Sequence, residues 1–175
     1  MEVNRGAEIR GPDAIAAAAG PSCKRVRGQI LGLIGFGRIG IATARRAKTF
    51  GFDVRFYDPY VRDGVDKATN VTREESLTEL LESSDCISLH CNCTEENKNI
   101  INATTLASFK KGAFLVNTAR GDLINEADLA QALKSGHLAG ASLDVHCSEP
   151  FIKGKGPLGS APNLLCTPHS AWYSA

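Results

Sequence analysis

Six residues, Gly35-Phe36-Gly37-Arg38-Ile39-Gly40, constrain this chain more than any others. They match G-x-G-x-x-G, a pattern too common to carry weight alone. Here the apolar run Ile30–Ile34 leads directly into it and a helix-period segment beginning at Arg38 leads out. In a strand, turn and helix of that order, the first glycine permits the tight turn and the second lets the backbone approach a pyrophosphate. The third lets the helix pack on the strand. The phosphates lie at the helix N-terminus, where unpaired N–H groups and the positive dipole end favour an anion, and Arg38 can add a charge-assisted contact. The second apolar run closes on Phe56-Tyr57-Asp58, with Asp58 lying 18 residues after Gly40. That is close to the roughly 20 expected of the acid that accepts hydrogen bonds from the adenosine ribose. A carboxylate there repels a 2′-phosphate, which selects NAD over NADP, while Arg62 nearby leaves NADP open. Asp58 also reads as an ordinary start to the turn Asp58-Pro59-Tyr60.

From Gln29 onward, short apolar runs alternate with helix-period segments, the pattern of successive βαβ units around a parallel sheet. The expected strands are Ile30–Ile34, Val54–Tyr57, Cys86–His90, Ala113–Asn117, Ala141–Val145 and Leu164–Cys166. Six parallel strands with helices between them predict an α/β fold with a doubly wound sheet, a Rossmann-type dinucleotide-binding domain. A helix is expected from Arg38 to Phe50, stopped by Gly51. Ser76 and Glu79 form a capping box before Leu80 and Leu81. Asn125 caps a helix running to Ser135, with Gly136 beyond its end. The first 28 residues read differently, with Gly11-Pro12, the run Ala16–Ala19 and the basic residues Lys24, Arg25 and Arg27. Such a cluster is either a nuclear import signal or a solvated surface patch.

Size and charge narrow the function further. At 175 residues the chain has room for one domain. Lys plus Arg number 20 against 19 Asp plus Glu, which argues against a general polyanion binder, so no direct nucleic-acid binding is expected. The stretch Gly156 to Ala175 lacks formal charge but contains Pro157, Pro162 and Pro168, so no membrane span is expected. Met1 is followed by Glu2, Val3, Asn4 and Arg5 rather than a basic start and apolar core, which predicts an intracellular chain. None of the six cysteines makes a C-x-x-C pair, so scattered reduced thiols are expected and no metal site.

Polar residues gather where the sheet should end. His90 closes the third expected strand, Asn117 to Arg120 follow the fourth, Asp144 lies near the end of the fifth and His169 follows the sixth. Open parallel sheets bind ligands beyond those carboxyl ends. The stretches Asn117-Thr118-Ala119-Arg120-Gly121, Leu143-Asp144-Val145-His146, Ser148-Glu149-Pro150 and Thr167-Pro168-His169-Ser170-Ala171-Trp172 resemble, in order and spacing, the signatures of the D-isomer-specific 2-hydroxyacid dehydrogenases. The pieces Lys48-Thr49-Phe50-Gly51-Phe52, Phe56-Tyr57-Asp58-Pro59-Tyr60, Leu89-His90-Cys91 and Ala171-Trp172-Tyr173-Ser174 resemble still more closely the C-terminal-binding-protein transcriptional corepressors, a branch that kept this fold.

The resemblance implies a set of roles. Reducing a 2-oxo acid requires hydride from nicotinamide, a proton for the new alkoxide and a cation for the substrate carboxylate. Arg120 suits the last through its planar fork, His169 the proton, and Glu149 the orientation of His169 through its other ring nitrogen. Asp144 resembles the residue that receives the nicotinamide carboxamide, His90, Cys91 and Thr118 resemble lining on the cofactor side, and Trp172 a wall of the substrate pocket. Ile39 belongs to the glycine turn that meets the cofactor. Singly, Arg120 could pair with Asp122, and a lone histidine or a loop glutamate is ordinary. One departure is Asn125 before Glu126, where the family usually carries aspartate; both types cap helices.

Family members also place a substrate-binding domain around the cofactor domain, and it does not fit in this length. The resemblance therefore implies that residues 1–28 are a crossover segment from that missing domain and residues 29–175 the NAD-binding domain. Two functions follow. One is the NAD-binding, dimer-forming domain of a transcriptional corepressor, nuclear and cytoplasmic, whose complete protein meets transcription factors and chromatin modifiers. The other is the cofactor domain of a metabolic NAD-dependent enzyme acting on a small 2-oxo acid. Little turnover is expected of this chain alone on either reading.

Overall fold

The computed structural model describes residues 24–152 and 154–173. Most of the expected crossover segment, residues 1–23, lies outside the described residues. The elements run β1 (Ile30–Ile34), α1 (Arg38–Thr49), β2 (Asp53–Tyr57), α2 (Val65–Thr69), β3 (Thr72–Arg73), α3 (Leu77–Ser83), β4 (Cys86–Leu89), α4 (Ala103–Ala107), β5 (Ala113–Asn117), α5 (Glu126–Lys134), β6 (Leu138–Leu143) and β7 (Leu164–Cys166). A single 3-10 turn at Gly121–Leu123 precedes α5.

All strands pair in parallel, in the order β3-β2-β1-β4-β5-β6-β7. The chain winds outward from β1 in one direction through β2 and β3, then returns to the other side of β1 for β4 to β7. The strand order reverses there, and a crevice opens beyond the carboxyl ends of β1 and β4. Two cores lie on the two faces, as buried parallel strands require. Leu31, Leu33, Val54 and Phe56 pack with Ala44 and Ala47 of α1, and Phe36 stacks on Phe56 with ring centroids 3.9 Å apart. On the opposite face Ile34, Ile87, Leu89 and Leu115 meet Leu80 and Leu81 of α3 and Leu129 and Leu133 of α5.

The expected helix stops and caps are present: Gly51 follows α1, the Ser76 and Glu79 box opens α3, and Asn125 accepts from Ala127 and Asp128 N–H groups at the start of α5. Beyond one-residue shifts at the start of β2 and the end of β4, the sheet differs from expectation in two places. It has seven strands, because Thr72–Arg73 adds a two-residue edge strand too short to show periodicity. Its sixth strand is Leu138–Leu143 rather than Ala141–Val145. Apolar content does not separate these frames. Pairing with β5 decides, because Ala113 meets Leu138 and Asn117 meets Leu143, after which Asp144 turns out of the ladder. On the face shared with α1, Phe114 of β5 and Leu165 of β7 stand 52% and 62% exposed. Among the described residues no helix is long and apolar enough to cross a membrane.

Candidate functional site

The glycine turn joins β1 to α1 at the middle of the sheet. Gly35 has φ +92°, a conformation costly for any residue with a Cβ. A Cβ there would also lie 2.7 Å from the Cys91 nitrogen, so the turn sits directly on the chain leaving β4. At Gly40 a Cβ would collide with the Gly35 carbonyl oxygen, which is how the helix comes so close to the strand end. Gly37 is different. It is the N-cap of α1, and a Cβ built on it meets nothing within 4 Å. No internal packing asks for glycine there; the space in front of it is open.

The helix starts agree. Ser76, Asn102 and Asn125 cap α3, α4 and α5 with side-chain oxygens. By contrast, α1 has neither a capping side chain nor an acid in its first turn. Its first N–H groups therefore lack side-chain acceptors at a positive dipole end, the arrangement that holds phosphate. Arg38 and Ile39 are exposed at the same mouth, Ile39 by 65%. Asp58 ends the β2 side of the crevice. Its Oδ2 accepts from the Phe36 N–H at 2.7 Å and its Oδ1 from the Tyr60 N–H at 2.9 Å. The turn-starting role and the position over the glycine turn hold together. His90 and Cys91 form the β4 wall: burial pushes the His90 imidazole down, its Nε2 lies 3.0 Å from Ser88 Oγ, and burial pushes the Cys91 thiol up to about 11. These residues fit a dinucleotide, because backbone donors, an open cradle before Gly37 and the Asp58 carboxylate lie together where β1 and β2 end.

The other end of the crevice is made of side chains. Buried Asn117 closes β5, accepting from the Ala119 N–H at 2.9 Å and donating to the Arg120 carbonyl at 2.8 Å. That bracket presents exposed Thr118 and Arg120. The Arg120 guanidinium donates to the Ala119 carbonyl at 2.6 Å, and among the described residues no carboxylate pairs with it, Asp122 included. It stands as a cation ready for an anion.

Asp144, only 4% exposed, organises the segment after β7. One carboxylate oxygen accepts from the Thr167 hydroxyl and from the Ser170 N–H at 3.0 Å, and the other from the Ala171 N–H at 2.8 Å. Burial pushes this carboxyl up, but the Thr167 hydroxyl and the Ala171 and Ser170 N–H groups outweigh it and hold it below its ordinary value. Between those anchors His169 adopts φ +53°, left-handed and strained for a residue with a Cβ. Its Nδ1 lies 2.9 Å from Glu149 Oε2, while Glu149 Oε1 accepts from the His146 N–H at 3.2 Å. The His169 bond and the His146 N–H hold the Glu149 carboxyl below its usual range, so it accepts rather than donates. Nδ1 then carries the proton of the bond, and Nε2 is the nitrogen left for other chemistry.

Arg120 and Glu149 are tied through Gly121, a residue to which the residue pattern alone gives no role. A Cβ at Gly121 would collide with the His146 carbonyl, so the Arg120 turn lies against the backbone that leads to Glu149. Its signal was the glycine directly after Arg120. A cavity of about 620 Å³ opens beside the pair, lined by His146, Phe151, Leu158, Leu164, Pro168 and His169 among others. Trp172 lies outside it, 72% exposed and edge-on to Tyr173 at 5.8 Å.

Residues 8–171 match the family model described as "D-isomer specific 2-hydroxyacid dehydrogenase, NAD binding domain". C-terminal-binding protein 1 of Caenorhabditis elegans is 51% identical over 152 residues, covering 86% of this chain and 21% of that protein. D-mandelate dehydrogenase of Rhodotorula graminis, in its apo form, superposes with a TM-score of 0.83 at 33% identity, covering 94% of this chain and 48% of that one. A D-isomer specific 2-hydroxyacid dehydrogenase of Lactobacillus delbrueckii ssp. bulgaricus, in its NAD complexed form, superposes with a TM-score of 0.76 at 31% identity, covering 86% of this chain and 49% of that one. The chain thus spans about half the length of these two solved relatives and a fifth of the nematode protein.

Proposed function

Since the chain belongs to the D-isomer specific 2-hydroxyacid dehydrogenases, through their NAD-binding domain, we propose that it serves as the NAD(H)-sensing, dimer-forming part of a transcriptional corepressor that keeps a 2-hydroxyacid dehydrogenase site. The observation that carries the site is the His169–Glu149 pair at 2.9 Å, with the Arg120 turn, whose guanidinium meets no carboxylate among the described residues, packed against the same loop through Gly121. The corepressor reading is supported by the 51% identity to C-terminal-binding protein 1. In this reading residues 1–28 are the crossover and 29–175 the cofactor domain of a longer, nuclear and cytoplasmic protein that meets transcription factors and chromatin modifiers. Exposed Phe114 and Leu165 offer apolar surface for the second copy of a homodimer.

Bound NAD(H) supplies the hydride. Gly35, Gly37 and Gly40 admit its pyrophosphate to the start of α1, with Arg38 and Ile39 at the mouth, and Asp58 takes the ribose. His90, Cys91 and Thr118 line the cofactor side. Asp144 receives the nicotinamide carboxamide, and its bonds to Thr167, Ser170 and Ala171 support a second part, holding the segment that carries His169. Arg120 grips the carboxylate of a small 2-oxo acid, His169 delivers a proton from Nε2 to the carbonyl oxygen, and Glu149 keeps Nδ1 protonated and the ring oriented. Trp172 forms a wall for the substrate side chain in the complete protein.

Calorimetry tests the cofactor assignment: NADH binds more than about tenfold tighter than NADPH, a difference above ~1.4 kcal/mol set by the Asp58 carboxylate against a 2′-phosphate. Equal affinities refute it. In the complete protein Arg120→Ala lowers kcat/KM about 10- to 100-fold, the loss of a charged hydrogen-bonding contact worth ~1.5 to 3 kcal/mol. The intact triad also favours a second reading, a metabolic dehydrogenase. A kcat within the ordinary range of roughly 1 to 1,000 s⁻¹ on a 2-oxo acid supports that alternative, and far slower turnover beside tight NADH binding supports sensing.

A further inference from the structure

The loop that carries Glu149 is held from behind by a residue with no assigned part in the reaction. Glu126 opens α5, and its Oε1 accepts from the Cys147 N–H at 3.0 Å. The Cys147 thiol reaches the Ile124 carbonyl, two residues before Glu126, at 3.5 Å. Two consecutive N–H groups thus serve opposite carboxylates: Cys147 donates inward to Glu126, and His146 donates to Glu149, whose other oxygen holds His169.

The pair does not hold itself. Glu149 and His169 side chains are 38% and 42% exposed, and residues 147–150 are all exposed. An exposed ion pair is too weak to order four loop residues against their conformational entropy. An anchor on a rigid element is needed. Glu126 has one: it sits at the N-terminal turn of a helix, where the dipole favours a carboxylate and the Asn125 cap fixes the backbone.

We propose that Glu126 is a positioning residue for the proton-transfer pair, holding the Cys147 N–H so that the loop keeps the one setting in which Glu149 meets His169 and the His146 N–H together. The role of that pair rests on the function proposed above; the mechanical role of Glu126 does not. The Glu149 carboxyl reports the setting, since the His169 bond and the His146 N–H hold it below its ordinary value.

Carbon-13 NMR titration of the glutamate carboxyls in the 175-residue chain tests this. In Glu126→Ala the Glu149 midpoint moves up toward that of a free glutamate. In Glu126→Gln, whose amide oxygen still accepts from the Cys147 N–H, it stays at the wild-type value. Glu126→Asp keeps the charge and suits a helix start but falls one methylene short, so it gives an intermediate shift and covers an alanine variant that does not fold. An unmoved midpoint in either the Ala or the Asp variant, provided it folds, overturns the proposal. A Gln variant as displaced as Ala also overturns it.

In the complete protein, Glu126→Ala lowers kcat about tenfold with KM for the 2-oxo acid little changed, and Gln restores it. A rise in KM at full kcat overturns the proposal. Should the wild-type protein turn over no 2-oxo acid while the Glu149 midpoint still follows Glu126 as described, the assigned chemistry falls and the positioning role stands.

Discussion

The two ends of the crevice are built by opposite means. At the β1 end, side chains are withdrawn: Gly35 lets the turn lie on β4, Gly40 lets α1 reach the Gly35 carbonyl, and Gly37 leaves open space before an uncapped helix. At the β6–β7 end, side chains are added: the one carboxylate of Asp144 engages Thr167, Ser170 and Ala171, and Glu149 bridges His146 to His169. A phosphate is recognised by many equivalent N–H donors, which any backbone supplies once nothing stands before it. Proton transfer needs one nitrogen in one place, and only a set of bonded neighbours holds it there.

The contrast breaks first, and hardest, at Gly35. If the backbone end is built on the absence of a Cβ, Gly35→Ala combines a disfavoured φ with a collision against β4 and costs roughly 3 kcal/mol. For a chain of this size that lowers the melting temperature by about 6 to 12 °C. A melting curve that matches wild type removes the steric argument.

Asp144→Asn probes the other end. The amide keeps one acceptor and turns donors toward N–H groups, leaving buried partners unmet, at a cost of about 2 kcal/mol. The pH dependence separates charge from packing. Because the folded carboxyl lies below its ordinary value, the unfolded chain binds the proton more readily, and stability rises with pH through that interval. The contribution is complete above the unfolded value near ~3.9 and is lost as pH falls through the folded one. Melting temperatures measured through that acid range fall less steeply for Asp144→Asn than for wild type; parallel curves mean that Asp144 is not the group responsible.

Gly37→Ala has the smallest effect on the fold and sharpens the comparison most. With nothing within 4 Å of the added Cβ, the melting temperature stays close to wild type. NADH affinity nevertheless drops by at least about tenfold, or ~1.4 kcal/mol, because the methyl group occupies the approach to the pyrophosphate. Unchanged calorimetric affinity means that the cofactor runs elsewhere.

What could be read in advance divides along the same line. The glycine turn, its flanking strand and helix, Asp58 and the capped starts of α3 and α5 were legible in the residue order. The turn and the caps depend on groups a few residues apart, where local sterics permit few alternatives, and Asp58 is legible through the fixed length of a strand–helix–strand unit although its bond to Phe36 spans 22 residues. The sequence by itself therefore determined a doubly wound sheet, a phosphate-ready turn and the strand ends where polar residues gather. Only the tertiary structure decided the frame of β6, which follows from its pairing with β5. It also decided that Asp144 spends its carboxylate on the segment holding His169, that Gly121 seats the Arg120 turn against His146, and that Glu126 reaches Cys147. Those partners are 21 to 27 residues apart, with Asp144 and Ala171 the widest of the hydrogen bonds. Side-chain hydrogen bonds act over about 3 Å, so which distant groups meet is set by how the strands and loops pack, and no spacing along the chain encodes it.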